Sequence, residues 1–451
     1  MQTNLTSGKI GKSIILFSLP LLAGDIIQQC YNLVDTLVVG QGIGSTALAA
    51  VGSAFALMGF LTSVIRGLCM GSGVVFSHHY GAKEINQMKT SIFNAFVFIA
   101  IVTLGIFGIS FFFLDLFLNW IQTPPEVLEM TKIYLSVILF GMIFIALYNF
   151  IAAIFRSVGN TMMPLIFLAV ACVVNIILDV IFVMYFHLGV AGAAWATLIA
   201  QGLSALGITL YFFYKAQELC PKKSHCYFDK MLLKNIMDNS ILTAIQQSIM
   251  NFGILTVHGL VNSFGYSVSA AFAVCVKIDT FAYMPASDFG NAVATFVAQN
   301  KGAKKPQRIR DGFTISLRIV TVISVIISIF VFFFAQELML IFVPPQDIEI
   351  ISIGVGYLHI VGVTYIGVGI LLMLYGFYRG LGKAKMSIIL TLISLGTRVA
   401  LSFSLSTLPT IGIKGIWFAI PMGWFLADCF GLFYYNKYVK NTFLSYNKEF
   451  L

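Results

Sequence analysis

Long apolar runs, separated by short polar stretches, recur from one end of this chain to the other. Twelve of them are long enough to cross a bilayer as a helix, which takes ~20 residues. They lie at 14–39, 46–78, 91–118, 127–154, 163–186, 189–214, 237–261, 267–297, 312–341, 350–378, 386–406 and 412–435. The pattern predicts an all-α polytopic membrane protein with twelve transmembrane helices. Runs well beyond ~20 residues tilt or extend past the lipid. The first run exceeds the ~7–15-residue core of a signal peptide, so it is read as a span and not as a cleaved leader.

The polar stretches alternate in charge. Lys9, Lys12, Lys83, Lys89, Arg156, Lys215, Lys222, Lys223, Lys230 and Lys234 fall on one side, and so do Lys301, Lys304, Lys305, Arg308, Arg310, Arg379, Lys383, Lys385, Lys437, Lys440 and Lys448. The other side keeps only Lys132 and Lys414. By the positive-inside rule both termini and the 215–234 loop are cytoplasmic, and an even number of spans agrees.

The chain also repeats itself. GlyAlaLys at 81–83 recurs at 302–304, and ProPro at 124–125 recurs at 344–345. PheArgSerValGly at 155–159 returns as TyrArgGlyLeuGly at 378–382, and LeuGlyValAlaGly at 188–192 as IleGlyIleLysGly at 411–415. The order is kept and the offset is nearly constant, which indicates a duplication. Two pseudo-symmetric six-helix bundles follow: an N-lobe at 1–214, a cytoplasmic linker at 215–236 and a C-lobe at 237–451. An even number of spans per half gives both halves the same orientation, as in parallel-repeat transporters whose halves rock to give alternating access.

Composition sharpens this reading. Hydrophobic residues make up 59% and charged residues only 10% of the chain, against about 25% charged in soluble domains. The net charge of +9 comes from loops at one membrane face, so nucleic acid is not an expected partner. Most of the seven cysteines sit in apolar runs, and the number is odd, which argues against a disulfide framework. Cys220 and Cys226 flank ProLysLysSerHis without a zinc spacing, and His78-His79 lacks an HExxH pattern. There is no P-loop, nucleophile elbow or dinucleotide fingerprint. No cofactor is expected, and an ion gradient is the natural energy source. The 42 Phe and 17 Met suit either an adaptable pocket for flat cations or lipid-facing packing.

Candidate chemistry lies in the polar positions inside the runs. Asp25, Gln28, Asn32 and Asp35 form one stripe on the first span, which also carries Pro20, a residue that permits a bend. Asn175 and Asp179 share a face of the fifth span, and Thr197 adds a hydroxyl on the sixth. Asn and Thr often serve as hydrogen-bonded glue between helices. A buried carboxylate is far more costly than an amide, so the aspartates point to ion handling. If Asp35 and Asp179 converge, both cannot ionise cheaply and one can take a proton. The same oxygens suit a hard monovalent cation, so Na+ at Asp35, Asn175 and Asp179 is the alternative to H+.

The second half lacks these acids, since the repeat offset maps Asp35 onto Thr256, Asn175 onto Arg398 and Asp179 onto Ser402. On the eighth span Lys277, Phe281, Met284, Asp288 and Asn291 share a face, where Asp288 either receives a cationic ligand or pairs with Lys277 or Arg398. Gln28, Asn32, Met284 and Asp288 are the substrate-cleft candidates. Asp115, Glu337 and Asp428 lie close to span ends, where snorkelling suffices.

AsnLeuValAspThrLeuValValGly at 32–40, followed by IleGlySerThrAlaLeuAlaAlaValGly at 43–52, resembles the first-span signature of the multidrug and toxic compound extrusion (MATE) family. ValAlaGlnAsnLysGlyAlaLys at 297–304, PheArgSerValGlyAsn at 155–160 and TyrArgGlyLeuGly at 378–382 resemble its repeated cytoplasmic turns. The resemblance covers essentially the whole chain. It implies two six-helix lobes and drug/cation antiport. Asp35, Asn175 and Asp179 match the branch with an N-lobe cation site, and Pro20 matches the family's first-span proline. Asn149 and Thr197 are implied as further ligands. Another branch uses acids on spans seven and ten. Here 237–261 holds only Asp238 at its edge and 350–378 holds none, so a second-lobe site of that kind is not expected.

The expected function is secondary active export of cationic amphiphilic compounds, coupled to H+ or Na+, by a monomer in the bacterial cytoplasmic (inner) membrane. A lipid-linked oligosaccharide flippase of related architecture is the alternative. It would want a strongly cationic cavity, for which Lys277, Arg398 and Arg66 are the candidates. An intramembrane aspartic enzyme is a weaker rival, because no accompanying protease motif is present.

Overall fold

The computed structural model describes residues 3–120 and 123–440; Lys448, assigned above to the basic face, lies outside them. The described chain carries twelve helices long and apolar enough to cross a membrane. They are span 1 (Ile10–Gly42), span 2 (Ser45–Gly81), span 3 (Ile85–Phe112), span 4 (Pro125–Ser157), span 5 (Met162–Tyr185) and span 6 (Gly189–Lys215). The second set is span 7 (Lys230–Asn262), span 8 (Tyr266–Gly302), span 9 (Pro306–Phe333), span 10 (Ile348–Gly380), span 11 (Ala384–Ser406) and span 12 (Ile413–Val439). The protein is an all-α polytopic membrane protein.

Most helices outrun their apolar sequence, because helical hydrogen bonding continues into the polar flanks. Spans 3 and 9 do the reverse. Each stops at a phenylalanine, Phe112 or Phe333, and a short separate helix follows, at Leu114–Trp120 and Ala335–Leu340. The sequence pattern merges these with the spans, since apolar residues run straight through both breaks.

The duplication is written into the backbone. Gly44 and Gly265, Lys83 and Lys304, Gly159 and Gly382, and Gly189 and Gly412 all have positive φ, and each pair sits at the repeat offset. At Gly159 the constraint is steric as well as conformational, because any Cβ there would collide with the carbonyl oxygen of Thr3.

Contacts divide the chain into two units, one of residues 1–3 and 19–244, the other of residues 4–18 and 245–451. Spans 1 and 7 each change unit part-way along, in span 1 just before Pro20, where the sequence reading keeps each span whole. Span 1 stays helical through Pro20.

In the first unit, span 4 packs against spans 2, 3 and 6, and span 5 packs on span 6. Span 1 approaches span 5 at both ends, where Gly24 faces Leu165 and Leu168 and Gly42 faces Val183 and Met184. That alignment brings the polar stripe of span 1 beside Asn175 and Asp179. In the second unit, span 10 packs on spans 8 and 9, and span 11 pairs with span 12.

The second unit also holds the start of the chain in place. Leu5 is fully buried. The Arg308 guanidinium donates to the carbonyls of Leu5, Ser7 and Gly8, Lys305 donates to Thr6 at 2.8 Å and Asn300 to Leu5 at 3.1 Å. Hydrogen bonds from a charged donor are worth about 1.5–3 kcal/mol. Arg308→Ala is expected to release residues 4–8, seen as faster amide hydrogen exchange in that stretch with the spans unaffected. Unchanged exchange there would show that Leu5 burial alone holds the segment.

Candidate functional site

Asp35, Asn175 and Asp179 are each at most 1% exposed, and Thr197 is 5% exposed. They come together in the first unit. Asp35 and Asp179 are near enough to interact electrostatically. The Asn175 amide donates to Thr197 Oγ1 at 3.4 Å, which fixes its Oδ1 as an acceptor without a donor. Both Asp179 oxygens and Asp35 Oδ1 are likewise buried without a hydrogen-bond partner among the described residues. No ion pair reaches either acid there.

Buried polar atoms are nearly always satisfied, so four orphan oxygens in one cluster are unusual. All four are acceptors, three of them carboxylate oxygens. Such a set suits a small positive species with oxygen preference, or a proton shared between the acids.

Two residues absent from the sequence reading complete the cluster. Tyr31 places its hydroxyl 3.4 Å from Thr197 Oγ1 and interacts with both Asp35 and Asp179. Tyr134, on span 4 and 3% exposed, interacts with Asp35, Asp179 and Tyr31. Tyr31 stands one helical turn before Asp35, on the same face, so its spacing was readable. Tyr134 is not readable, since only the packing of span 4 brings it in. Span 5 also changes winding here. It is α-helical to Asp179 and π-helical from Val180 to Tyr185, and π turns are often found at functional sites.

The remaining candidates lie outside this cluster of contacts. The Asn149 amide bonds the carbonyl of Ile145 within its own helix. Asn32 donates to Gln29 at 3.2 Å, while Arg66 donates to Gln28 Oε1 at 3.3 Å. Met284 and Asp288 are buried in the second unit, on span 8. Lys277 rests 5.8 Å from the Phe342 ring centroid.

One sequence assignment is wrong. Asp428 is not a snorkelling residue at a span end: it is 6% exposed and sits deep in span 12, because the helix runs on to Val439. Asp115 and Glu337 are exposed, and Asp115 pairs with Lys132 at 2.7 Å.

A family model, MatE, matches the chain twice, at residues 20–181 and 242–404. The chain belongs to the MatE family. The two matches start 222 residues apart, within one residue of the displacement of the paired turns, so each half of this MatE chain is one copy of the family unit. It is accordingly a multi-pass membrane transporter and not an enzyme. Among its relatives is Probable multidrug resistance protein YpnP of Bacillus subtilis (strain 168), 28% identical over 96% of both chains. Another is the FAD transporter of Shewanella oneidensis, 24% identical over 93% of this chain and 92% of its own. The crystal structure of a MATE in complex with MaL6 shares the fold at a TM-score of 0.92 and 22% identity, over 99% of each chain.

Proposed function

We propose that this MatE chain is a secondary active exporter that couples outward movement of amphiphilic organic cations to inward movement of H+ or Na+. Asp35, Asn175, Asp179 and Thr197 hold the coupling ion, with Tyr31 and Tyr134 beside them. The observation that carries the reading is the cluster of buried acceptor oxygens with neither donor nor counter-cation among the described residues. A cluster held only as structural glue would be bonded internally. Here the positive partner is the transported ion, which leaves in each cycle.

The relatives' description as multidrug resistance proteins supports the substrate class. Both termini on the cytoplasmic side, and lobes at 1–214 and 237–451 joined by 215–236, belong to the same proposal. Ion binding changes the first lobe and so releases substrate to the outside. A flippase is not favoured, because no cation pairs with Asp35 or Asp179 among the described residues and the relatives are described as multidrug resistance proteins.

The test is efflux of a fluorescent cationic dye from proteoliposomes under a pH gradient or a sodium gradient imposed separately. One of the two gradients is expected to drive efflux and the other to leave it at the leak rate. Efflux indifferent to both would overturn the coupling.

A further inference from the structure

Three aspartates are buried among the described residues of the second unit: Asp279, Asp288 and Asp428. Asp279 and Asp428 live in opposite surroundings. Tyr357 donates to Asp279 Oδ2 at 2.5 Å and Tyr365 donates to Oδ1 at 2.6 Å. Two short phenol bonds of this length are what an ionised carboxylate makes. Asp428 has nothing comparable. Its Oδ1 is buried without a hydrogen-bond partner, and it has no ion pair among the described residues.

Span 10 presents Gly367, where a Cβ would lie 3.8 Å from Asp428 Oδ2 and 3.3 Å from the Cβ of Trp424. Tyr375, also on span 10, interacts electrostatically with Asp428 and hydrogen-bonds Thr391 of span 11. Arg398 of span 11 interacts with Asp279 and His258, not with Asp428. From span 8, Tyr283 meets the Trp424 ring edge-on at 5.9 Å. Among the described residues no cation therefore pairs with Asp428, and a buried carboxyl without one is cheaper as the neutral acid.

We propose that Asp428 is a reversible proton-binding site of the second unit, separate from the Asp35–Asp179 cluster. Tyr375 places a hydroxyl group within electrostatic reach of Asp428. Any part Asp428 plays in transport rests on the ion-coupled reading above; the proton itself does not.

The experiment counts protons on the purified protein, with no substrate and no gradient, so its outcome is independent of whether the dye is exported. Potentiometric titration over roughly pH 5 to 11 is compared between the unmodified chain and Asp428→Asn, which keeps the side-chain volume. The expected result is one proton fewer per chain for the variant. Equal counts overturn the proposal. If Asp428→Asn does not fold, a hydrophobic carbodiimide on the unmodified chain replaces it, since that reagent adds only to protonated carboxyls. Adduct on the Asp428 peptide at the acid end and not at the alkaline end supports the site. Adduct at both ends, or at neither, overturns it.

Discussion

Asp35→Asn, and separately Asp179→Asn, is expected to remove gradient-driven efflux while leaving the protein as heat-stable as before, or more so. Coupling between two sites is typically worth about 1–3 kcal/mol, a factor of roughly 5 to 150, so export under a limiting gradient falls at least about fivefold. An amide fills the carboxyl's volume but cannot load and unload a proton or balance a cation. The stability arm carries the discrimination. Orphan buried carboxylate oxygens stabilise nothing in the folded chain, and removing an uncompensated charge is neutral or favourable. Structural glue predicts the opposite, with lost stability tracking lost transport. The paired measurement is dye efflux and thermal unfolding on the same preparations. Retained efflux in either variant would refute the ion-site assignment for that acid.

Gly376→Val is expected to have the largest effect on folding. Span 10 carries Gly376 and Gly380 one turn apart, facing Gly290 and Ala294 on span 8. A Cβ at Gly376 would overlap the carbonyl oxygen of Gly290, and one at Gly290 would lie 2.5 Å from that of Leu372. These are backbone atoms, which cannot swing aside. Overpacking costs about 1–3 kcal/mol where side chains can adjust, and this contact sits at the top of that range or beyond it. The first unit uses the same device, with Gly67 and Gly71 on span 2 against Ala244 and Asn239 of span 7. Small residues at such spacing let membrane helices approach closely. Gly105→Ala is the control, since nothing lies within 4 Å of its Cβ position. Monodisperse yield after detergent extraction and the unfolding temperature should collapse for the first variant and hold for the second.

What the sequence made legible follows from which forces act locally. The twelve spans were readable because lipid demands long apolar runs, whatever the neighbours. Asp35, Asn175 and Asp179 were readable because acids in such runs are expensive and their spacing puts them on helix faces. Tyr134 was not, because its part depends on how span 4 packs among its neighbours. Asp428 was misplaced because the apolar pattern fades near 435 while the helix continues, ending in a π turn at Tyr435–Val439. The phenol clamp on Asp279 joins residues 78 and 86 positions apart, which no periodicity encodes. The glycines of spans 2 and 10 were visible, but their partners were not.

The change of winding in span 5 has a mechanical meaning. An α-helix advances about 100° around its axis per residue, and a π segment advances less. Asp179 is the last residue before the wider coil, and Val183, within that coil, meets span 1 at Gly42, where a Cβ would approach it to 2.8 Å. Rewinding the wide coil to the tighter pitch would carry Val183 around the axis and off that glycine, while Asn175 and Asp179 kept their own turn. The buried acids and the grip between the two helices thus lie on either side of one change of screw pitch in span 5.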